Sequence, residues 1–107
     1  MLADRAAAER NVRFIGVDRP GYGLSDTKPG RKLTDWPDDV CELADHLGFD
    51  KFHIIGLSGG GPFALACAWK IPSRLFSVGI ISGLGPIDVP ELGACLSGFQ
   101  KFWFSAA

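Results

Sequence analysis

The chain has 107 residues, of which 47% are apolar and 21% are charged, and its formal net charge at neutral pH is −1. This length predicts a single domain, and the balanced charge excludes both a disordered chain and a basic nucleic-acid-binding protein. No apolar run reaches the ~18–20 residues of a membrane span. The first ten residues carry charges where a secretion signal has its apolar stretch. These features predict a cytoplasmic protein with no membrane span.

The three cysteines give no sign of a disulfide framework or a zinc site. Cys41, Cys67 and Cys95 are odd in number, far apart in the sequence, and free of any C-x-x-C spacing. We therefore expect free thiols in the core or on the surface. The sequence predicts no metal site and no cofactor.

Strand-like and helical segments alternate along the chain, which is typical of βαβ units on a parallel sheet. In chain order, the pattern predicts a helix over residues 3–10, a strand over 12–18, a helix over 35–47, a strand from 51 or 52 to 57, a helix from 60 or 61 to 70, and a strand over 76–82. A turn-rich loop follows the first strand, and an apolar tail ends the chain. The predicted fold class is α/β, with three layers in the order αβα, the middle one a parallel sheet.

One serine stands where a predicted strand meets a predicted helix. Gly56-Leu57-Ser58-Gly59-Gly60 matches the pattern G-x-S-x-G, in which a sharp turn from strand to helix holds the serine in a strained conformation with its hydroxyl exposed. Because side chains two residues to either side would clash in such a turn, glycines are expected at both of those positions. This context favours a reactive serine at position 58.

Two other interpretations use the same residues. Ser58 could simply cap the following helix, since serine is a preferred N-cap residue. Alternatively, residues 59–64 read G-x-G-x-x-A, a dinucleotide-binding pattern. That site needs an acidic residue at the end of the next strand, and the first acid, Asp88, comes later. Pro62 also removes an N–H group that a phosphate would use, so the dinucleotide interpretation is the weaker one.

Beyond the pentapeptide, most of the chain resembles the α/β-hydrolases. "VRFIGVDRPGYGLSD" is similar to the strand and loop, with the pattern D-x-x-G-x-G-x-S, that precede the serine turn in that family, and "FHIIGLSGGGPFALACA" is similar to the turn and its helix. "FSVGIISGLGP" is similar to the strand that follows. For Asp18 itself we favour a structural role, an acid at the end of a strand beside glycines that shape a loop.

The resemblance implies a hydrolase in which Ser58 is the nucleophile and the backbone N–H of Gly59 donates to the oxyanion. Relatives that open epoxides or remove halides carry aspartate at the serine position. The implied substrates are therefore small molecules that carry an ester, a thioester, an amide or an activated C–C bond. The sequence does not choose among these classes.

Neither histidine is expected to activate Ser58. His53 lies five residues earlier on the same strand, about 16 Å away at ~3.3 Å per residue. His46 falls near the end of the crossover helix, which runs antiparallel to the strands and so ends near the opposite edge of the sheet. The triad of serine, histidine and acid that the resemblance implies is therefore incomplete in this sequence. Asp88 and Glu91 are interpreted as loop acids.

The chain is expected to form one partial α/β-hydrolase domain, with core elements over 1–88 and the start of a lid region over 89–107. By the resemblance, the loop that supplies the second oxyanion donor would precede residue 1 and the catalytic histidine would follow residue 107. We therefore expect the chain alone to be inactive, and the alternative to a hydrolase is a catalytically silent fragment or binding module. Exposed strand edges and the apolar tail predict self-association; its aromatic residues are Phe99, Phe102, Trp103 and Phe104.

Overall fold

The computed structural model describes residues 2–86 and Pro90. The chain divides into two compact units at the bond between Arg31 and Lys32. Apart from Pro90, the expected lid region lies outside the described residues, as do Asp88, Glu91 and Cys95. The division of the chain into 1–88 and 89–107 therefore stays a prediction. No helix within the described residues is long and apolar enough to cross a membrane.

The first unit contains one helix and a long loop. Helix α1 spans Leu2–Glu9, as the sequence predicts, and an exposed ion pair joins Arg5 Nε to Glu9 Oε1 at 3.2 Å. Beyond it, the loop over 18–25 is closed by Ser25 Oγ, which donates to the carbonyl oxygen of Asp18 at 2.6 Å. Gly23 has a positive φ of 51°, and its missing Cβ leaves room for the Asp18 carboxylate. These contacts agree with a structural role for Asp18.

The strand predicted over residues 12–18 is wrong. These residues form no strand, and their large apolar side chains are exposed. A strand exists only where a neighbouring backbone supplies its hydrogen bonds, and residues 12–18 take part in no strand pairing. The β-branched residues favour an extended conformation, but they do not show whether another strand pairs with it.

The second unit carries the sheet and the helices that cover it. Its elements within residues 32–86 are a 3-10 turn over Leu33–Asp35, α2 over Trp36–His46, β1 over Phe52–Leu57, a 3-10 turn over Ser58–Gly60, α3 over Gly61–Lys70, a 3-10 turn over Pro72–Arg74 and β2 over Leu75–Ile81. The sequence predictions for α2, β1, α3 and β2 are confirmed to within about one residue at each end. This is an α/β arrangement in which α3 packs on both strands and α2 packs on α3.

The ends of α2 show why this segment is helical. Pro37 fits the first turn, where no N–H bond is needed, and Asp38 and Asp39 place negative charge at the positive end of the helix. Gly48 has a φ of +79°, and its N–H donates to the carbonyl oxygen of Asp45 at 3.1 Å. A left-handed glycine of this kind terminates a helix.

Within the described residues the sheet has two strands rather than the three expected. β1 and β2 pair in parallel, with Ile55 opposite Gly79 and Leu57 opposite Ile81. Small side chains fill the interface between the helices and the sheet; the buried residues there are Ala44, Ala64, Ala66 and Cys67. The opposite face of the sheet leaves Ile55, Leu57 and Ile81 exposed.

Candidate active site

Ser58 lies where the sequence predicts it, at the carboxyl end of a parallel strand and directly before a helix. It follows Leu57, the last residue of β1, and opens the 3-10 turn that leads into α3. Its side chain is exposed. The chain thus presents this hydroxyl above the edge of the sheet at which both strands end, which we call the carboxyl edge.

The backbone at Ser58 is strained. Its φ of +50° lies in the left-handed region, which costs a residue with a Cβ about 1 kcal/mol or more. The helix gains no capping bond in return, since the N-cap positions of the turn and of α3 are Leu57 and Gly60, and neither makes a side-chain cap hydrogen bond. The interpretation of Ser58 as a helix cap is therefore wrong.

The glycines two residues to either side of Ser58 have different roles. A Cβ at Gly56 would lie 2.5 Å from the carbonyl oxygen of Gly60 and 2.9 Å from the Cβ of Ala64, so only glycine fits under the start of α3. The clash expected at Gly60 is absent from the described part of the chain, where a Cβ at that position would meet no atom within 4 Å. The backbone of Gly60 approaches Gly56, while its own Cβ direction is open.

Gly59 follows Ser58 in the first helical turn. The first N–H groups of a helix have no acceptor within the helix, and they carry its partial positive charge. In this turn the Gly61 N–H donates back to the carbonyl oxygen of Ser58, and Gly59 is the residue directly after Ser58 in the chain. The sequence stretches 56–62 and 82–86, which contain the two turns at this edge, have no charged residue.

His53 is engaged at the other end of β1. Its Nδ1 lies 2.7 Å from Ser77 Oγ, a hydrogen-bond distance, and its ring stacks on Phe76 with centroids 5.1 Å apart. Five residues of extended strand, about 16 Å, separate it from Ser58. The structure does not bring His53 to the candidate nucleophile.

His46 also lies at the edge of the sheet where the strands begin, which we call the amino edge. It is the last residue of α2. Its neighbour Asp45 accepts a hydrogen bond of 2.8 Å from Arg74, the residue before β2. The end of α2 is thus fixed beside the start of β2, at the edge opposite Ser58.

Sequence reasoning missed a second left-handed turn at the carboxyl edge. Ser82 follows β2 as Ser58 follows β1, and it has a φ of +49°. A Cβ at Gly61 would lie 3.0 Å from the Cα of Gly83, so the turn after β2 touches the start of α3. The Ser-Gly pair that directly follows both β1 and β2 is the signal that could have suggested this turn.

The residues described by the structure contain no group of three or more His, Cys, Asp or Glu side chains that could hold a metal ion. The Cys67 thiol is fully buried between α3 and its neighbours. Burial, and to a lesser extent the nearby Cys41, raises the pKa of the Cys67 thiol to about 11. A buried, protonated thiol of this kind is a packing group rather than a nucleophile.

The sequence profile of the alpha/beta hydrolase fold matches residues 3–105. The chain belongs to the alpha/beta hydrolase family. Among its relatives, the uncharacterized hydrolase YcgS of Bacillus subtilis (strain 168) is 33% identical over 65% of this chain and 25% of its own length. The dihydrolipoyllysine-residue acetyltransferase component of the acetoin cleaving system of Pseudomonas putida is 36% identical over 94% of this chain and 25% of its own.

A third relative is 3-oxoadipate enol-lactonase 1 of Acinetobacter baylyi (strain ATCC 33305 / BD413 / ADP1). It is 29% identical over 77% of this chain and 31% of its own length. The chain therefore spans about a quarter to a third of the length of these relatives. Part of an α/β-hydrolase core is therefore present, namely β1, the turn at Ser58, α3 and β2.

Proposed function

We propose that Ser58 is the nucleophile of a serine hydrolase and that the Gly59 N–H stabilises the oxyanion. The observation that carries this proposal is the exposed, left-handed Ser58 between β1 and α3, with Gly56 beneath it where no Cβ fits. A fold retains backbone strain of this kind where the surrounding contacts impose it, and such strain clusters at functional sites. No capping bond offers a structural reason for it.

The chemistry would proceed through an acyl intermediate. Ser58 Oγ attacks the carbonyl carbon of an ester, thioester or amide, its proton passes to a base, and negative charge develops on the carbonyl oxygen beside the Gly59 N–H. The bond to the leaving group then breaks, and the leaving group departs with a proton. Water next attacks the acyl-serine, which releases the acid and restores the hydroxyl.

The substrate is proposed to be a small molecule with an acyl group. A relative named as an enol-lactonase supports this class, because a lactone is a cyclic ester. The weaker alternative of a dinucleotide site at residues 59–64 gains no support from the family to which the chain belongs. The cytoplasmic location stays a prediction.

Selective labelling tests the nucleophile without requiring full catalysis. A fluorophosphonate reacts when Ser58 Oγ displaces fluoride from phosphorus and a base accepts the proton, and added imidazole can supply that base. We expect mass spectrometry to place the label on Ser58, with a rate that rises with imidazole concentration. Ser82 is the matched control, because it has the same backbone conformation at the end of the neighbouring strand. Equal labelling of Ser58 and Ser82 would overturn the proposal.

We also propose that the 107-residue chain alone is catalytically silent, since both histidines lie at the amino edge. Wild-type chain and Ser58→Ala should hydrolyse p-nitrophenyl acetate at the same rate in buffer without imidazole. A clearly faster wild type, purified free of host esterases, would show that a base is present. Asp88 would then be the first residue to substitute.

Self-association is a further proposal, which the exposed Ile55, Leu57 and Ile81 on one face of the sheet support. We expect the apparent mass in sedimentation to rise with concentration, and we expect Leu57→Lys to suppress that rise. A mass that stays monomeric at all concentrations would contradict it.

A further inference from the structure

The turns after β1 and β2 leave the sheet side by side. Leu57 pairs with Ile81 in the parallel register, so the next residues, Ser58 and Ser82, stand at the same level on strands about 4.8 Å apart. Both have left-handed backbones, with φ of +50° and +49°. The segment that follows Ser82 therefore starts beside the candidate nucleophile.

Close backbone contact then holds this segment against the start of α3. A Cβ at Gly61 would lie 3.0 Å from the Cα of Gly83 and 3.6 Å from the backbone nitrogen of Leu84. A Cβ at Gly83 would lie 2.5 Å from the Cγ2 atom of Ile80. Glycine at both positions lets the chain after β2 lie directly on the first helical residue.

This path brings the side chain of Leu84 beside Gly59. Its Cδ1 atom lies 4.0 Å from the position that a Cβ of Gly59 would occupy, which is van der Waals distance. Leu84 is half-buried, whereas the flanking Gly83 and Gly85 are exposed. An apolar side chain thus covers one side of the residue whose N–H faces the reacting oxygen in the proposed mechanism.

We propose that Leu84 determines specificity by receiving an apolar chain of the substrate. This inference rests on the proposed function: if the carbonyl oxygen lies at the Gly59 N–H, a substituent on the carbonyl carbon lies within reach of Leu84. Each methylene group buried on Leu84 favours binding about fourfold at most. The site therefore favours acyl groups with an alkyl chain over acetyl and over chains that carry charge.

The first test compares alkyl fluorophosphonates with methyl, butyl and octyl chains on the 107-residue chain in imidazole. For the wild type we expect the Ser58 labelling rate to be about tenfold higher with octyl than with methyl, and for Leu84→Ala we expect a ratio near two. Leu84→Met, which keeps an apolar side chain, should restore most of the preference. Leu65→Ala is the matched control, because Leu65 is exposed on α3 and its loss should leave the ratio unchanged. If Leu84→Ala kept the octyl-to-methyl ratio of the wild type, the inference about Leu84 would be overturned, while the proposal that Ser58 is the nucleophile would be unaffected.

The second test needs no reaction at Ser58. Octan-2-one, an unreactive ketone with an alkyl chain, is titrated while the amide signals of Gly59 and Leu84 are followed by NMR. We expect both signals to shift in the wild type and in Leu84→Met, but not in Leu84→Ala. Shifts without any labelling would sustain the role of Leu84 and overturn Ser58 as the nucleophile. Absence of shifts in the wild type would overturn the role of Leu84, whatever Ser58 does.

Discussion

The two edges of the sheet are built in opposite ways. At the amino edge, one charged side chain joins the elements. Arg74 donates to the carbonyl oxygens of Phe49 and Asp50 and to the carboxylate oxygen Asp45 Oδ1, at 2.6–2.8 Å. At the carboxyl edge, backbone meets backbone across Gly56 and Gly60 and across Gly61 and Gly83. The elements are joined by a long side chain at the amino edge and by direct backbone contact at glycines at the carboxyl edge.

This difference indicates how well each edge tolerates an amino-acid substitution. Hydrogen bonds from a side chain can be shortened or weakened by degrees, and neighbouring groups or water can replace part of them. Where the Cβ direction points into such a contact, as at Gly56 and Gly61, a Cβ cannot be added without moving an element. The carboxyl edge is therefore the less adaptable of the two, and it is also the edge that carries the proposed chemistry.

The most severe test of this comparison is Gly56→Ala. The new Cβ would lie 2.5 Å from a backbone oxygen, so α3 must move away from β1, and we expect a loss of about 2–4 kcal/mol in the free energy of unfolding. Urea denaturation followed by circular dichroism measures it.

Gly60→Ala is the matched control within the same pentapeptide. Its φ of −78° suits alanine and its Cβ direction is open in the described structure, so we expect no loss and a gain of up to about 0.5–1 kcal/mol. Equal destabilisation by the two variants would mean that the start of α3 does not approach β1 as described.

The corresponding test at the amino edge is Arg74→Ala. This change removes three hydrogen bonds that hold the start of β2 to the end of α2 and to the chain between α2 and β1, and we expect a clear fall in the urea midpoint, although a smaller one than for Gly56→Ala. Arg74→Lys should recover only part of it, because an ammonium group lacks the planar fork of donors.

Lys70→Ala provides the scale for exposed surface contacts. Lys70 Nζ donates to Asp38 Oδ2 at 2.7 Å and to the carbonyl oxygen of Thr34 at 2.9 Å. Because the side chains of Lys70 and Asp38 are at least one-third exposed, we expect a loss of about 0.5–1 kcal/mol. An Arg74→Ala effect no larger than this would show that the amino edge is not held by Arg74.

The packing that lies between the two edges should respond to pH through Cys67. Burial raises the pKa of this thiol to about 11, so the unfolded chain loses the proton first as the pH rises. The stabilisation is complete below pH 9 and is lost between about pH 9 and 11. Urea midpoints measured across this range should fall more steeply for the wild type than for Cys67→Ala. Parallel slopes would contradict the burial of the thiol.

The smallest effects are expected from relieving the left-handed turns. Ser58→Gly and Ser82→Gly remove the steric cost of a positive φ but add the entropy cost of glycine. Ser73→Gly, outside these turns, measures the entropy cost alone, and we expect each turn variant to be about 0.5–1 kcal/mol more stable than Ser73→Gly in urea denaturation. A turn variant less stable than Ser73→Gly would show that hydroxyl contacts outweigh the strain.

Sequence periodicity predicted the elements that bury their own apolar face, and the G-x-S-x-G pattern predicted the turn at Ser58. The boundaries of α2, β1, α3 and β2 follow from alternation, helical period and the positions of Pro37, Gly48 and Pro62. Residues 12–18 show the limit of this reasoning, because strand propensity does not supply a pairing partner. The left-handed Ser82 and the position of Leu84 beside Gly59 depend on the path of the chain in three dimensions, which no local pattern encodes.

The pairing of β1 with β2 also has a consequence for the order of folding. Their paired residues are close in sequence, as in His53 and Ser77, which lie 24 positions apart with α3 between them. Closing a loop of this length costs little entropy compared with a distant pairing. We expect β1, α3 and β2 to gain protection from hydrogen exchange before α2 does when the chain refolds. The serine turn would then be in place before the rest of the second unit has packed around it.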